Sequence, residues 1–77
     1  MKNRHNSASL QLLDVVALLK DIPAEKLVKG QVGTIVEELD EDVFEVEFAN
    51  RQGETIASLP LNSADLMLLH FEAETAV

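Results

Sequence analysis

The chain has no cysteine, no tryptophan and no tyrosine among its 77 residues, and only three phenylalanines. The lack of cysteine excludes a disulfide framework and a thiolate zinc site. A chain of this length forms one domain and buries only roughly 60% of its unfolded surface. Its stability must therefore come from close packing of Val, Ile, Leu and Phe, and a hydrophobic fraction of 47% is sufficient for such a core.

Basic residues are also scarce. Six Lys and Arg oppose fourteen Asp and Glu, for a formal net charge of −8, and the bases are scattered along the chain. Nucleic acids and anionic membrane surfaces are bound largely through Lys and Arg, so we expect neither as a partner. A basic protein partner, or simple solubility, fits this charge better.

Long apolar runs are missing as well, since no segment approaches the ~18 residues of a membrane span. The first nine residues, MKNRHNSAS, are not followed by the apolar core and small-residue cleavage site of a signal peptide. We therefore expect a cytoplasmic location.

The most informative segment runs from Val32 to Leu61 and predicts three strands joined by two tight turns, Asp40–Asp42 and Asn50–Gly53. Apolar residues alternate with glutamates along the middle strand, at Phe44, Glu45, Val46, Glu47 and Phe48. This period of two is typical of a strand with one buried and one solvated face. The glycines expected at turns or bends of the backbone are Gly30, Gly33 and Gly53.

The flanking segments are less clear. Leu10 to Leu19 fits either a helix capped by Ser9 or a strand buried on both faces, and the pattern alone does not decide between them. Ala24 to Lys29 is predicted to be an irregular loop. After the central block, Asn62–Asp65 is typical of a single helical turn and Leu66–Leu69 of a last short strand.

Several short strands at this spacing predict an all-β fold, a small barrel of five strongly bent strands with one helical turn before the last strand. We expect a disordered tail over residues 1–9, the barrel over residues 10–71 and a frayed tail over residues 72–77.

Three segments carry a family resemblance: LLDVVALLKDIP, LVKGQVGTIVEEL and VFEVEFANRQGETIASLPL. They resemble a small bacterial, often cyanobacterial, family catalogued as domain-of-unknown-function family 4926. The resemblance implies a Src-homology-3-like barrel and favours a strand over Leu13–Leu19. It brings no catalytic or binding residues, because the family has no established activity. Some members are encoded beside toxin-like proteins, which implies an antitoxin or immunity role by analogy.

The residues offer little for catalysis. No histidine is adjacent to a serine in any motif, and a barrel this small is filled by its own side chains. A cation could be held by His70 with a nearby glutamate or by the Asp40–Asp42 turn, but each is better explained as a solvated surface feature. His5 lies in the predicted tail. We expect no enzyme, no cofactor and no metal site.

Eight acidic residues between Glu37 and Glu54 oppose a single base, Arg51. Strand alternation is expected to place several of them on one solvated face, an acidic wall that either prevents aggregation or docks a protein. We expect a non-enzymatic module that binds a protein partner through this wall and the Ala24–Lys29 loop. The candidate binding residues are Glu37, Glu45, Glu47, Glu54, Lys26 and Lys29. Alternatives are a nucleic-acid-associated barrel of the translation or transcription type and a structural homo-oligomer, and the sequence does not distinguish monomer from homodimer.

Overall fold

The structure, a computed structural model, describes residues 10–73 and contains five strands and two 3-10 helices. The strands are β1 (Val15–Leu18), β2 (Val32–Asp40), β3 (Val43–Ala49), β4 (Thr55–Asn62) and β5 (Leu66–Leu68), and the 3-10 helices are Pro23–Glu25 and Ser63–Asp65. The tail predicted for residues 1–9, and the last four residues of the tail predicted for residues 72–77, lie outside the described residues. The predicted fold, an all-β Src-homology-3-like barrel with a helical turn before the last strand, is confirmed.

The strands form one antiparallel sheet in the order β4-β3-β2-β1-β5. The long strand β2 belongs to both halves, because its first residues pair with β1 and nearly all of it pairs with β3. The β2–β3 register shifts between Ile35 and Glu37 and again between Glu38 and Asp40. Such bulges bend a strand and increase its twist, so β2 can turn the sheet back upon itself around one core.

The core consists of side chains from every strand, from the segment before β1 and from the connection between β1 and β2. Its buried residues are Leu10, Val16, Leu18, Leu27, Ile35, Phe44, Val46, Phe48, Leu61 and Leu66. Among residues 10–73 no polar or charged residue is buried. The core is therefore held by shape and apolar area alone, as the absence of cysteine requires.

The three glycines serve two different purposes. Gly30 and Gly53 have φ angles of +92° and +83°, the left-handed conformation that turns require. Gly33 differs from the prediction, since it lies inside β2 and its φ is not positive. A Cβ built on Gly33 would approach the Phe48 ring and Val46 Cγ1 to 2.8 Å. Gly33 therefore gives these two side chains room to pack against the β2 backbone.

The ambiguous first segment is a strand, but a shorter one than the resemblance implied. Leu13 lies in a turn with a φ of +73°, and β1 begins only at Val15. A helix over this segment is excluded because β1 pairs with β2 on one side and with β5 on the other. These two ladders satisfy the backbone groups that a helix would have satisfied internally.

The connection between β1 and β2 is more ordered than the predicted irregular loop. Pro23 begins a 3-10 helix that ends at Glu25 and is capped by Lys26, whose left-handed φ is +59°. An isolated bridge then pairs Leu27 with Ile22, and the side chain of Leu27 is 1% exposed. The connection therefore contributes Leu27 to the core and presents only its other residues to solvent.

Candidate functional site

The outer face of β3 carries two glutamates that are fixed in place by β4. The inward residues of β3 are buried, whereas Glu45 and Glu47 face outward and are half-buried. The hydroxyl of Ser58 donates to Glu45 Oε2 over 2.7 Å, and the hydroxyl of Thr55 donates to Glu47 Oε2 over 2.7 Å. Both carboxylates therefore lean across the sheet toward β4, rather than extending freely into solvent.

A third glutamate joins them from β2. Glu37 lies directly opposite Glu45 in the β2–β3 ladder, just after the first register shift. Like charges that face each other across an antiparallel pair are destabilising. The structure thus brings Glu37, Glu45 and Glu47 together on one face, as predicted for the acidic wall, and we use the name acidic wall for these three residues.

Glu54 occupies a different position. It follows the β3–β4 turn, where its Oε1 accepts a hydrogen bond from Asn50 Nδ2 over 2.8 Å. The Asn50 side-chain oxygen in turn accepts from the backbone N–H groups of Gln52 and Glu54. This network orders the turn, so Glu54 has a structural task that the sequence did not indicate.

The predicted basic contributors, Lys26 and Lys29, are exposed in the connection between β1 and β2. The backbone N–H of Lys26 closes the 3-10 helix on Pro23 O, and that of Lys29 donates to Asp21 Oδ1 over 2.7 Å. This connection joins β2 at Val32, five residues before Glu37, or roughly 16 Å away along an extended strand. In the ladder the end of this connection is therefore nearer to Glu47, which pairs with Thr34, than to Glu37.

An open groove of about 560 Å³ lies between the segment Leu13–Val15 and the segment Leu68–Ala73. Its lining contains Asp14, His70 and Glu72 but no serine, threonine, cysteine, lysine or tyrosine. The described part of this groove therefore offers carboxylate and imidazole groups, and no hydroxyl, thiol or amine group that could act as a nucleophile.

A metal site finds no support in the described residues. Within residues 10–73 no group of three or more His, Cys, Asp or Glu residues is placed to hold a metal ion. Of the predicted Asp40–Asp42 turn, Asp40 ends β2, and Glu41 and Asp42 form the turn to β3; Asp40 Oδ1 accepts from the Glu41 N–H, and Asp42 has a φ of +64°. His5 lies outside the described residues.

Within residues 10–73 no helix has the length and apolar character to cross a membrane.

Sequence reasoning missed the residues of β4 that complete the site. Thr55 and Ser58 hold the glutamates, and Ile56, at a register shift against β3, is 48% exposed. The segment TIASLPL contains no charge and only a weak alternation. The pairing register of β3 with β4 would have found them, and it is not readable from either strand alone.

One protein family matches the chain. Its description is a domain of unknown function (DUF4926), and the match covers residues 12–68. No curated protein and no solved structure matches.

Proposed function

The chain belongs to the DUF4926 family, a domain of unknown function, and from this premise we propose that it is a non-enzymatic module that binds a protein partner through the acidic wall. The observation that carries the proposal is the pair Glu37 and Glu45, which stand opposite each other in the ladder. Charges placed anywhere on the surface would serve solubility, whereas two facing glutamates reduce stability. A basic surface on a partner would relieve that repulsion.

The fixed orientation of Glu45 and Glu47 supports the same proposal. Their hydrogen bonds to Ser58 and Thr55 restrict the side-chain rotamers before any partner arrives. Binding then loses less side-chain entropy than it would with freely rotating glutamates, for which the cost is ~0.5–1.5 kcal/mol each. A solubilising surface would gain nothing from this restriction.

The charge of the domain also favours a basic protein over a nucleic acid. Among residues 10–73 the Lys and Arg residues are Lys20, Lys26, Lys29 and Arg51. Lys20 forms an ion pair with Asp65, in which Nζ lies 3.2 Å from Oδ2. Four bases, one of them paired with an acid, provide few contacts for phosphates. Fluorescence anisotropy with labelled single-stranded RNA and duplex DNA tests the nucleic-acid alternative, and we expect no salt-dependent binding.

The resemblance to a family with toxin-like neighbours suggests the first class of partner to test. We propose a cytoplasmic basic protein that the module sequesters in an antitoxin-like or immunity-like manner. Encoded neighbours in the source genome are the natural candidates for a direct binding assay. A homo-oligomer is the other alternative, and light scattering of the purified chain distinguishes it from a monomer.

The decisive experiment is affinity capture from the native host followed by mass spectrometry. The test variant is Glu45→Lys with Glu47→Lys, and the matched control is Glu41→Lys with Glu72→Lys, which changes the net charge equally at exposed positions outside the acidic wall and the Ala24–Lys29 loop. We expect the unaltered chain and the control to retain the same partner and the test variant to lose it. Equal retention by all three folded proteins, checked by circular dichroism, would contradict the proposal.

A further inference from the structure

The strand β4 is an open edge of the sheet. In the order β4-β3-β2-β1-β5 it has β3 on one side, and within residues 10–73 no strand lies on its other side. An edge strand presents backbone N–H and C=O groups that a further strand can pair with, and proteins usually protect long edges with charged residues. The eight residues of β4, Thr55–Asn62, include no charged residue.

The edge is partly protected at two points, which define the stretch available for pairing. Pro60 has no N–H, so it limits pairing toward the end of the strand. Ile56 sits at the register shift opposite Phe48 and Ala49, where a bulge increases the local twist. The available stretch is therefore Thr55–Leu59.

The inward side chains of this stretch are incompletely covered. Ala57 lies opposite Phe48 and Leu59 opposite Val46, so both point toward the core. They pack against the core cluster yet remain only half-buried. Apolar side chains from one more strand would cover them, because inward residues on neighbouring strands are in contact.

The outward side of the same edge is acidic. Ser58 and Thr55 point outward, and their hydroxyls hold the carboxylates of Glu45 and Glu47 over β4. Neighbouring strands are ~4.8 Å apart, so a strand added beside β4 would place its own outward side chains next to these carboxylates. Each carboxylate can accept further hydrogen bonds beyond the one it has, and lysine or arginine would supply them.

We propose that the edge of β4 over Thr55–Leu59 binds an extended segment of a protein partner in which basic residues alternate with apolar ones. The segment adds a sixth strand, its apolar residues cover Ala57 and Leu59, and its basic residues bind Glu45 and Glu47. Main-chain hydrogen bonds provide affinity and the alternating side chains provide specificity, as in other cases of strand addition. This inference rests on the proposed function and gives its acidic wall a binding mode.

A second copy of the chain fits this edge less well than a basic segment. Pairing β4 with β4 would bring together two chains of net charge −8. It would also supply no base opposite Glu45 and Glu47, because β4 is uncharged. The charge therefore selects a basic occupant over self-association.

The test uses a synthetic peptide, acetyl-Thr-Lys-Val-Lys-Val-Lys-Thr-amide, and the isotopically labelled full chain. Two control peptides carry the same side chains but are N-methylated at every second backbone nitrogen, one peptide at the odd positions and the other at the even positions. Because alternate N–H groups of a strand point to opposite sides, one of the two peptides loses the hydrogen bonds that its N–H groups donate to β4. A third control replaces Lys by Glu. Affinity is measured by fluorescence anisotropy, and the location of binding by amide chemical shifts and hydrogen exchange in NMR.

We expect shift changes and new amide protection concentrated in Thr55–Leu59. One N-methylated peptide should bind about tenfold more weakly or worse, since several backbone hydrogen bonds are lost, and the Glu peptide should not bind. Glu45→Gln with Glu47→Gln should weaken binding about tenfold, whereas Glu41→Gln with Glu72→Gln should not.

Three outcomes overturn the inference. If both N-methylated peptides bind as tightly as the parent, only side-chain charge is involved; edge pairing is then wrong while the acidic wall remains a binding surface. If the parent peptide does not bind, or if its contacts lie elsewhere, the edge is not its site; partner capture by the wild-type chain would still stand by itself. If light scattering shows a dimer, and hydrogen exchange shows that its β4 amides are protected in the absence of peptide, the occupant is a second copy.

Discussion

Strands β1 and β3 are buried in different ways. In β3 the exposed fraction alternates residue by residue, with Val46 and Phe48 at 0% and the half-buried Glu47 between them. In β1 three successive residues, Val16, Ala17 and Leu18, are all buried. A strand with one solvated face shows the period of two in its sequence, whereas a strand covered on both faces shows only a short apolar run.

The comparison explains why only one of the two strands can carry the proposed site. The outward face of β3 has polar neighbours on β4 and can hold charge without burial. The outward residue Ala17 of β1 lies between Val32 of β2 and Met67 of β5 and is 5% exposed. A charge at that position would be desolvated without a partner. The proposed binding surface therefore lies on the half of the sheet formed by β2, β3 and β4.

The largest effect is expected at the inward face of β3. Phe48→Ala removes a fully buried ring and should reduce the free energy of unfolding by about 3–5 kcal/mol, enough to unfold much of a small domain. Its neighbour Ala49 is exposed, so Ala49→Ser should change the free energy of unfolding by less than about 0.5 kcal/mol. Urea denaturation followed by circular dichroism measures both. Similar losses at the two positions would contradict the alternation in β3.

In β1 the corresponding test compares the last residue of the strand, which is buried, with the next residue in the chain, which is exposed. Leu18 is 1% exposed and Leu19 is 42% exposed. We expect Leu18→Ala to cost about 2–5 kcal/mol of unfolding free energy and Leu19→Ala to cost well under half as much. Thermal and urea unfolding of both variants check this. Equal losses would show that burial continues past Leu18.

Gly33 connects the two strands, because it pairs with Val16 of β1 and with Phe48 of β3. Gly33→Ala places a methyl group 2.8 Å from Phe48 and Val46, and such overpacking should reduce stability by about 1–3 kcal/mol. The double variant Gly33→Ala with Val46→Ala removes one of the clashing groups. We therefore expect it to lose less than the sum of the two single losses in urea denaturation, and strict additivity would argue against the clash.

The smallest effect concerns the outer face of β3. Ser58→Ala removes the hydroxyl that holds Glu45 and should reduce the free energy of unfolding by less than about 1 kcal/mol, because both groups are accessible to water. Ser58→Thr keeps the hydroxyl and serves as the control. If the acidic wall is a binding surface, Ser58→Ala should weaken partner binding more clearly than it weakens the fold. An effect on the fold alone would mark the bond as structural.

The sequence predicted those segments whose conformation depends on residues close to one another in the chain. The alternation in β3, the Asn50–Gly53 turn and the helical turn at Ser63–Asp65 are each dictated by neighbours in sequence, and all are present. The Asn62 side chain even caps that last helix by accepting from the Ala64 N–H over 2.9 Å. Leu27 could not be predicted as a core residue, because its burial depends on the bridge to Ile22 that brings the loop back.

The candidate site likewise has some features that the sequence predicted and others that depend on strand register. Strand alternation alone predicted that Glu45 and Glu47 share an outward face. The position of Glu37 opposite Glu45 depends on the register shift in β2, and the roles of Thr55 and Ser58 depend on the β3–β4 register. Lys26 and Lys29 were predicted as further candidate binding residues, and in the ladder the end of their connection is nearer to Glu47, opposite Thr34, than to Glu37.

By itself the sequence determined an alternating acidic strand, the turns at Gly30 and Gly53 and a core without cysteine. These features follow from local periodicity and backbone preference, which a single chain segment contains in full. Tertiary structure alone decided which strand became the open edge, which glycine had to admit a phenylalanine ring, and which hydroxyls hold the glutamates. Those features depend on strand order and register, and each arises from pairing between residues that are distant in the chain.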